Sequence, residues 1–200
     1  MTDSLYNKHM IQIHTSKALA ADLKAHLTEV PAGPGAMQWY AHRVVVLRRK
    51  CVIAMEAQSR YAMVFTGLTK PDFEKFPALF MDRLMREALS ICQLADEQSE
   101  HLAALVMLLG ESIQISPGTD RSVQAHINDV ARELDWMSRD IGYLPEQASH
   151  EFNFGLRVNQ MLRKRKGDKD YFYPLEELRG FWLGLLGHVA SRPDNVVPLH

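Results

Sequence analysis

Hydrophobic and polar residues alternate along the first third of the chain in the manner of β-strands. Met10–His14 follow this alternation, which predicts a strand with one buried face. Three further runs are rich in valine, isoleucine, methionine and aromatic residues: Trp39–Leu47, Cys51–Glu56 and Tyr61–Thr66. Their connections, Arg48–Lys50 and Ala57–Arg60, are short enough for hairpins. Because a parallel return needs about a dozen residues, these three strands are predicted to be antiparallel.

The spacing of apolar residues lengthens beyond Gly67 to about 3.6 residues, which indicates helices. Apolar residues from Phe73 to Ile91 fit a helix that is interrupted near Pro77. His101–Leu109 is apolar on nearly all sides, so we expect this helix at the centre of the core. Two shorter elements are also predicted, a helix over Lys17–Leu27 and a brief edge strand over Ile113–Ile115.

The clearest helical pattern lies in the middle of the chain. Apolar residues recur there at alternating steps of four and three positions: Val123, Ile127, Val130, Leu134, Met137 and Ile141. Such a narrow stripe predicts a helix that buries one side. The segments that follow have weaker patterns. Phe152–Leu162 fits a strand or a helix, and Arg163–Asp170 is predicted as a solvated loop. Pro174 begins a helix that runs to Leu186, and Ser191–His200 is predicted as a frayed tail.

These elements predict an α+β fold. We expect a small antiparallel sheet of about four strands in the N-terminal half, packed with helices, and a mainly helical C-terminal half. A chain of 200 residues with 46% hydrophobic content can bury a full core without disulfides or metals. One domain over residues 1–200 is therefore predicted.

Charge and cysteine content limit the classes of function. The chain has 23 Lys and Arg against 24 Asp and Glu, a formal net charge of -1, so no overall field draws it to nucleic acid or to an anionic membrane. Cys51 and Cys92 lie in apolar runs without a CxxC motif, which favours a cytoplasmic protein. Met1–Lys8 lack the apolar core of a signal peptide, and no apolar run reaches the ~18 residues of a membrane span. The nine histidines lack short ligand spacing, so neither a metal nor another cofactor is predicted.

Four segments occur along the chain in a recognisable order: Met10–Lys17, Trp39–Ala41, Arg48–Ile53 and Arg121–Asp129. Together they resemble a family of small bacterial proteins classed only as a domain of unknown function. In that family the last segment reads approximately Arg-Ser-Val-Leu-Gly-Ser-Met-Asn-Asp-Phe, against Arg-Ser-Val-Gln-Ala-His-Ile-Asn-Asp-Val here. The resemblance covers a core at residues 10–140, followed by a mainly helical extension at 145–190. It implies a bacterial or phage source and no particular activity, and it draws attention to six residues: Trp39, Arg48, Arg49, Arg121, Asn128 and Asp129.

Polar residues surround the start of the helix that carries the clear apolar stripe. At about 100° per residue, Arg121 and Asn128 lie opposite the stripe. One interpretation is that this pair binds an anion or a partner, helped by the exposed N–H groups of the helix start. The structural alternative is that Asp120 or Ser122 caps the helix, while Asn128 and Asp129 bond to a neighbouring loop.

Three side chains able to bind a metal share one flank of the same helix: His126, Asp129 and Glu133. This spacing is common by chance on polar flanks, so no metal site is predicted. His126 with Asp129 as its orienting partner also suits acid–base catalysis. No nucleophile can be paired with them from the sequence, and no catalytic residue is assigned.

Basic residues form two local clusters, Arg43, Arg48, Arg49 and Lys50 around the first hairpin and Arg163–Lys166 in the late loop. With Trp39, Tyr40 and Tyr61 near the first cluster, a nucleic-acid surface is one interpretation. Because the overall charge is close to zero, we favour the alternative that basic turns keep a sheet edge soluble.

Three hypotheses for function follow from the sequence. The leading one is a non-enzymatic binding or regulatory protein whose partner is a protein or a small anionic ligand, with six candidate residues: Arg48, Arg49, Arg121, His126, Asn128 and Asp129. The second is a hydrolase for a phosphate-bearing substrate, with His126 as acid or base and Arg121 as charge stabiliser. The third is a nucleic-acid-binding protein.

Overall fold

The computed structural model describes residues 10–29 and 36–190. The predictions for Met1–Lys8 and Ser191–His200 lie outside these residues. Within the described residues the elements follow in this order: β1 (Ile11–Thr15), α1 (Lys17–Asp22), a 3-10 turn (Lys24–His26), β2 (Met37–Val46), β3 (Arg49–Glu56), β4 (Ala62–Leu68), α2 (Lys70–Glu74), α3 (Phe76–Cys92), α4 (Asp96–Gly110), β5 (Ile113–Pro117), α5 (Arg121–Ile141), α6 (Ala148–Asn159) and α7 (Pro174–Ala190). None of the described helices is long and apolar enough to cross a membrane.

The strands form one mixed sheet in the order β4-β3-β2-β1-β5. β2, β3 and β4 are antiparallel neighbours, as predicted, with Ala41 opposite Ala54 and Ala54 opposite Met63. β1 lies between β2 and β5 and is parallel to both. The alternation of residues identified β1 but not its direction, because the long connection to β2 leaves room for a crossover. The α+β class is confirmed, and the sheet is mixed and one strand larger than expected.

The β2–β3 hairpin is tighter than the sequence suggested. Only Leu47 and Arg48 form the turn, with φ of 44° and 64°, the left-handed conformation typical of a two-residue hairpin. Arg49 and Lys50, which were predicted to belong to the connection, begin β3 instead. Arg48 therefore occupies the tip of the hairpin.

Helices cover both faces of the sheet. On one face, α1, α3, α4 and α7 pack on a core that includes Ile13, Trp39, Ala54, Phe80, Leu84, Leu102 and Trp182. On the other, α5 and α6 pack on a core that includes Ile53, Met55, Val64, Val123, Ile127, Val130, Leu134, Phe154 and Val158. α5 thus buries the predicted stripe from Val123 to Leu134, whereas Ile141 in its last turn is 42% exposed.

Helix α4 lies at the surface, so the prediction that it occupies the centre of the core is wrong. Leu102, Val106 and Leu109 are buried, but Met107 is 66% exposed. The helix packs against α3 and α7. Apolar residues on its other side remain exposed, as apolar residues at protein surfaces often do. The ambiguous segment from Phe152 is helical and ends at Asn159.

A buried ionic network joins α3 and α6 to the sheet. Arg83 is 3% exposed, and its Nε lies 2.5 Å from Glu87 Oε1 while its Nη1 lies 2.9 Å from Glu151 Oε2. Glu151 also accepts a hydrogen bond of 2.6 Å from the Thr66 main-chain N–H. The Tyr61 hydroxyl donates to Glu87. Both carboxylates are therefore held by several donors at once.

The two edge strands are also bonded by residues from outside the sheet. Asn159 on α6 accepts from the main-chain N–H of Ala62 at 2.8 Å and donates to its carbonyl at 2.9 Å. At the opposite edge, the Thr28 N–H and hydroxyl both donate to the carbonyl of Ile115, at 2.7 and 3.0 Å. Main-chain groups at both edges thus find partners.

The buried carboxyls predict a particular dependence of stability on pH. Burial raises the pKa of Glu87 and of Glu151, although Arg83 acts in the opposite direction on both. Between the ordinary glutamate pKa of 4.5 and the raised values, the folded protein binds more protons than the unfolded chain. Its stability therefore falls as pH rises through this window.

We expect Glu87→Gln to lessen this fall, because one of the two shifted titrations is removed. Thermal unfolding between about pH 4 and 7 measures it as the change of Tm with pH. Glu100→Gln, at an exposed position of α4, is the matched control and should retain the wild-type profile. An unaltered pH profile in Glu87→Gln would contradict the assignment.

Candidate anion-binding site

Helix α5 begins at Arg121 because Asp120 caps it. The Asp120 Oδ1 accepts hydrogen bonds from the main-chain N–H groups of Ser122 at 2.7 Å and of Val123 at 3.0 Å. Of the two caps considered from the sequence, Asp120 is the one used. Its carboxylate occupies two of the N–H groups that are free at a helix start, so the positive end of α5 is partly neutralised.

A cleft of about 790 Å³ opens beside this helix start. We call it the helix-start cleft; its lining includes Gln38, Tyr40, Gln58, Arg60, Asp120, Ser122, Arg165, Lys166 and Asp168. Gln38 and Tyr40 lie near the start of β2, on the face of the strand that α5 covers. His14 on β1 holds both, since its Nε2 lies 2.6 Å from Gln38 Oε1 and its ring stacks on Tyr40 at 4.8 Å.

Arg60 lies in the β3–β4 turn and is 6% exposed. Its φ of 59° is a left-handed conformation that costs a residue with a Cβ roughly 1–2 kcal/mol. Its Nη2 donates to Ser122 Oγ at 3.1 Å and its Nη1 to the Ala57 carbonyl, whereas its Nε has no partner. No carboxylate of the described residues forms an ion pair with it. Burial lowers the pKa of Arg60, although Asp120 and Glu56 act in the opposite direction.

The loop that follows α6 forms one wall of the cleft. One antiparallel bridge at Arg163 forms the base of this loop. Arg165 is anchored through its Nε, 2.7 Å from Asp168 Oδ2, and through its Nη1, which donates to the Gln58 carbonyl at 2.7 Å. Lys166 is exposed beside it. The cleft therefore combines three cationic side chains with two carboxylates, those of Asp120 and Asp168.

A second concave surface lies along one flank of α5. We call it the flank groove; it has a volume of about 360 Å³ and its lining includes His126, Asp129, Val130, Glu133, Val158, Met161, Arg163, Lys164 and Tyr171. The predicted grouping of His126, Asp129 and Glu133 on one flank is confirmed. Asp129 pairs with Arg132, and Glu133 lies 2.8 Å from Arg157.

His126 is half-buried in this groove. Burial lowers the pKa of His126, and the positive charges of Arg163 and Arg60 lower it further. In the described part of the chain, no three His, Cys, Asp or Glu side chains form a group that could hold a metal ion. The flank groove thus combines cationic side chains with carboxylates that do not form a metal-binding group.

The structure separates the residues singled out from the sequence. Arg121 and Asn128 are exposed on α5, opposite the buried stripe as predicted, and Arg121 does not line the groove that His126 lines. The pair required by the hydrolase hypothesis is therefore not brought together. Arg49 lies 3.0 Å from Glu146, beyond the opposite end of α5. Because 21 residues of helix span roughly 30 Å, the Arg48–Arg49 hairpin and the helix start form separate surfaces.

The aromatic platform of the nucleic-acid hypothesis is not present on the surface. Trp39 and Tyr61 are fully buried, so neither ring can stack on a base. Asp22 lies 2.8 Å from both Arg43 and Lys50. With the Arg49–Glu146 pair, three of the four basic residues in that cluster are paired within the chain.

Arg60 and Arg163 are site residues that sequence reasoning missed. They were placed in a hairpin turn and in a solvated loop, yet each is 6% exposed. The residues that bury them are distant in sequence: Arg60 bonds to Ser122, 62 positions away, and Arg163 to His126, 37 positions away. A local pattern carries no signal of such contacts, whereas in the fold the left-handed conformation of Arg60 marks it as unusual.

Comparison with known proteins identifies the family. Residues 12–177 match the family described as Domain of unknown function (DUF6933), and the chain belongs to this family. The resemblance found in the sequence is confirmed, and the match extends beyond residue 140 into α7. No curated protein matches the chain.

The position of Arg121 and Asn128 predicts that they contribute little to stability. The double variant Arg121→Ala/Asn128→Ala should change the free energy of unfolding by less than about 0.5 kcal/mol, since both side chains are exposed. Ile127→Ala on the same helix is the control, because it removes a fully buried side chain and should cost about 2–5 kcal/mol. Urea unfolding measures both, and a large loss in the double variant would show that these side chains have structural partners.

Proposed function

We propose that this member of the DUF6933 family is a binding protein that holds a small anionic ligand in the helix-start cleft. One observation carries the proposal: Arg60 is 6% exposed and forms no ion pair with a described carboxylate. Buried charges in proteins are normally paired. An anion from outside the chain would complete the surroundings of this guanidinium.

Arg83 provides a comparison within the same chain. It is also a buried arginine, but two carboxylates lie 2.5 and 2.9 Å from its guanidinium. Its charge is thus compensated where it joins α3 to α6. Arg60 instead donates to the neutral oxygens of Ala57 and Ser122, and the charges of Asp120 and Glu56 act on it only from beyond ion-pair distance. This difference supports a ligand-binding role for Arg60.

The surroundings of Arg60 favour a compact anion with several acceptor oxygens. Arg165 and Lys166 also line the cleft. Arg165 is paired with Asp168 and Glu177, whereas Lys166 is exposed and forms no ion pair with a described carboxylate. The cleft volume of about 790 Å³ lies within the range of small-molecule sites. We favour a phosphate group, because its oxygens can accept from a guanidinium and an ammonium group together.

The proposed role is to bind, and no chemical step is assigned to the cleft. We place this role in the cytoplasm, which is supported by the two cysteines, Cys51 and Cys92, because both are free and buried. The leading hypothesis from the sequence located the site at the start of α5. The proposal keeps that location and replaces Arg121 by Arg60 as the principal cation.

Calorimetric titration with inorganic phosphate tests the proposal at constant ionic strength. We expect binding by the wild-type protein, a roughly two- to fivefold weaker dissociation constant for Lys166→Gln, and a roughly 10- to 100-fold weaker one for Arg60→Gln. Lys24→Gln removes an exposed charge from the opposite side of the sheet and is the matched control. It should bind phosphate as the wild type does.

Two results would contradict the proposal. One is the absence of a binding signal for both phosphate and pyrophosphate with the wild-type protein. The other is an equal loss of affinity in Lys166→Gln and Lys24→Gln, which would indicate attraction by total charge alone. Lys166→Gln still tests the proposal if Arg60→Gln fails to fold. Because Lys166 is exposed, this variant is expected to fold as the wild type does.

A further inference from the structure

The flank groove contains a second buried cation that the chain leaves incompletely paired. Arg163 is 6% exposed, and its Nε has no partner. Its Nη1 and Nη2 donate only to the carbonyls of His126 and Val158, each at 3.4 Å. These are long contacts for a guanidinium, which makes its best bonds near 2.8 Å with carboxylates.

The acids in the groove are already engaged with other cations. Asp129 pairs with Arg132 and Glu133 with Arg157, and no described carboxylate forms an ion pair with Arg163. Burial lowers the pKa of Arg163 to about 10, although Asp129 acts in the opposite direction. Arg163 thus lines the groove with two weakly bonded Nη groups, while its unpaired Nε is buried.

Apolar side chains form one part of the groove lining, beside charged ones such as Asp129, Glu133 and Lys164. Val130 and Val158 form a buried part of its lining, while Met161 is 39% and Tyr171 65% exposed at the surface. An apolar wall beside a single under-bonded guanidinium matches a ligand with one anionic end and an apolar body. A phosphate ion suits the groove less well, because it has no apolar body to contact Val130, Val158 and Met161.

We infer that the flank groove binds a carboxylate carried on an apolar body, with the carboxylate on Arg163 and the body against Val130, Val158 and Met161. The two oxygens of a carboxylate match the fork of guanidinium donors. Such a group occurs in a free aliphatic or aromatic acid and at the C-terminus of a protein that ends in an apolar residue. The inference does not rest on the proposed function, since Arg163 lines the flank groove and Arg60 lines the cleft.

Ligand-observed NMR and calorimetry on the full chain test the inference with hexanoate as the probe. Hexan-1-ol supplies the apolar body without the charge, and acetate supplies the charge without the body. We expect hexanoate to bind at least about tenfold more tightly than either. A tripeptide ending in leucine, compared with its C-terminal amide, distinguishes the two sources of the carboxylate.

Variants locate the site. Arg163→Gln should weaken hexanoate binding about tenfold or more, and Met161→Ser, at a partly exposed position, should weaken it severalfold without unfolding the protein. Met107→Ser on α4, where the side chain is 66% exposed, is the matched control and should bind as the wild type does. Lys166→Gln should also leave hexanoate binding unchanged, which separates this site from the helix-start cleft.

The inference is overturned if hexan-1-ol binds as tightly as hexanoate, or if neither hexanoate nor the free-acid peptide binds. It is also overturned if Met161→Ser and Met107→Ser have the same effect. These outcomes are measured on the wild type and on surface variants. A failure of Arg163→Gln to fold therefore does not prevent a decision.

Discussion

The packing of α5 across β2 and β3 is the constraint that determines where the helix-start cleft and the flank groove lie. Its stripe from Val123 to Leu134 fills the apolar part of one sheet face, against residues such as Ile53 and Met55. Toward the start of the helix the facing strand offers Gln38 and Tyr40. Tyr40 still packs on this core, but the polar Gln38 does not extend the apolar face, and a cleft opens beside the first turn of the helix.

The loop after α6 adds the charges to this arrangement. Its base at Arg163 lies against α5, and Arg165 bonds it to the β3–β4 turn. As a result, cations from two distant parts of the chain, the β3–β4 turn and this loop, lie beside the first two turns of one helix. Burial lowers the pKa of Arg163, and Arg60 lowers it further, so the two buried arginines repel each other. The fold tolerates this repulsion although neither arginine forms an ion pair with a described carboxylate.

Part of this architecture could be predicted from the sequence. The meander of β2 to β4 and the burial of α5 follow from local periodicity, since each depends on residues close together in the chain. The direction of β1 and the exposure of α4 depend instead on which elements become neighbours. The burial of Arg60 and Arg163 depends on contacts with α5, and a turn arginine looks the same in sequence whether it is solvated or covered.

For the candidate site, the sequence indicated the helix that borders the cleft and the groove, and only some of the side chains that line them. Helical geometry placed His126 and Asp129 on one flank, where the groove lies, and placed Arg121 and Asn128 outward. From the sequence, the Arg48–Arg49 hairpin was grouped with the start of α5 in one binding surface, because the sequence does not give the distance between the two. The length of α5 keeps them apart.

The bonding of the sheet edges affects how copies of this protein behave at high concentration. An unpaired edge strand is a template on which another chain can add a strand, a common first step in domain swapping and fibril growth. Here Asn159 occupies main-chain groups of Ala62 at one edge, and Thr28 occupies the carbonyl of Ile115 at the other. Intermolecular strand addition at these positions would first require α6 or the segment at Thr28 to detach, which makes it dependent on partial unfolding.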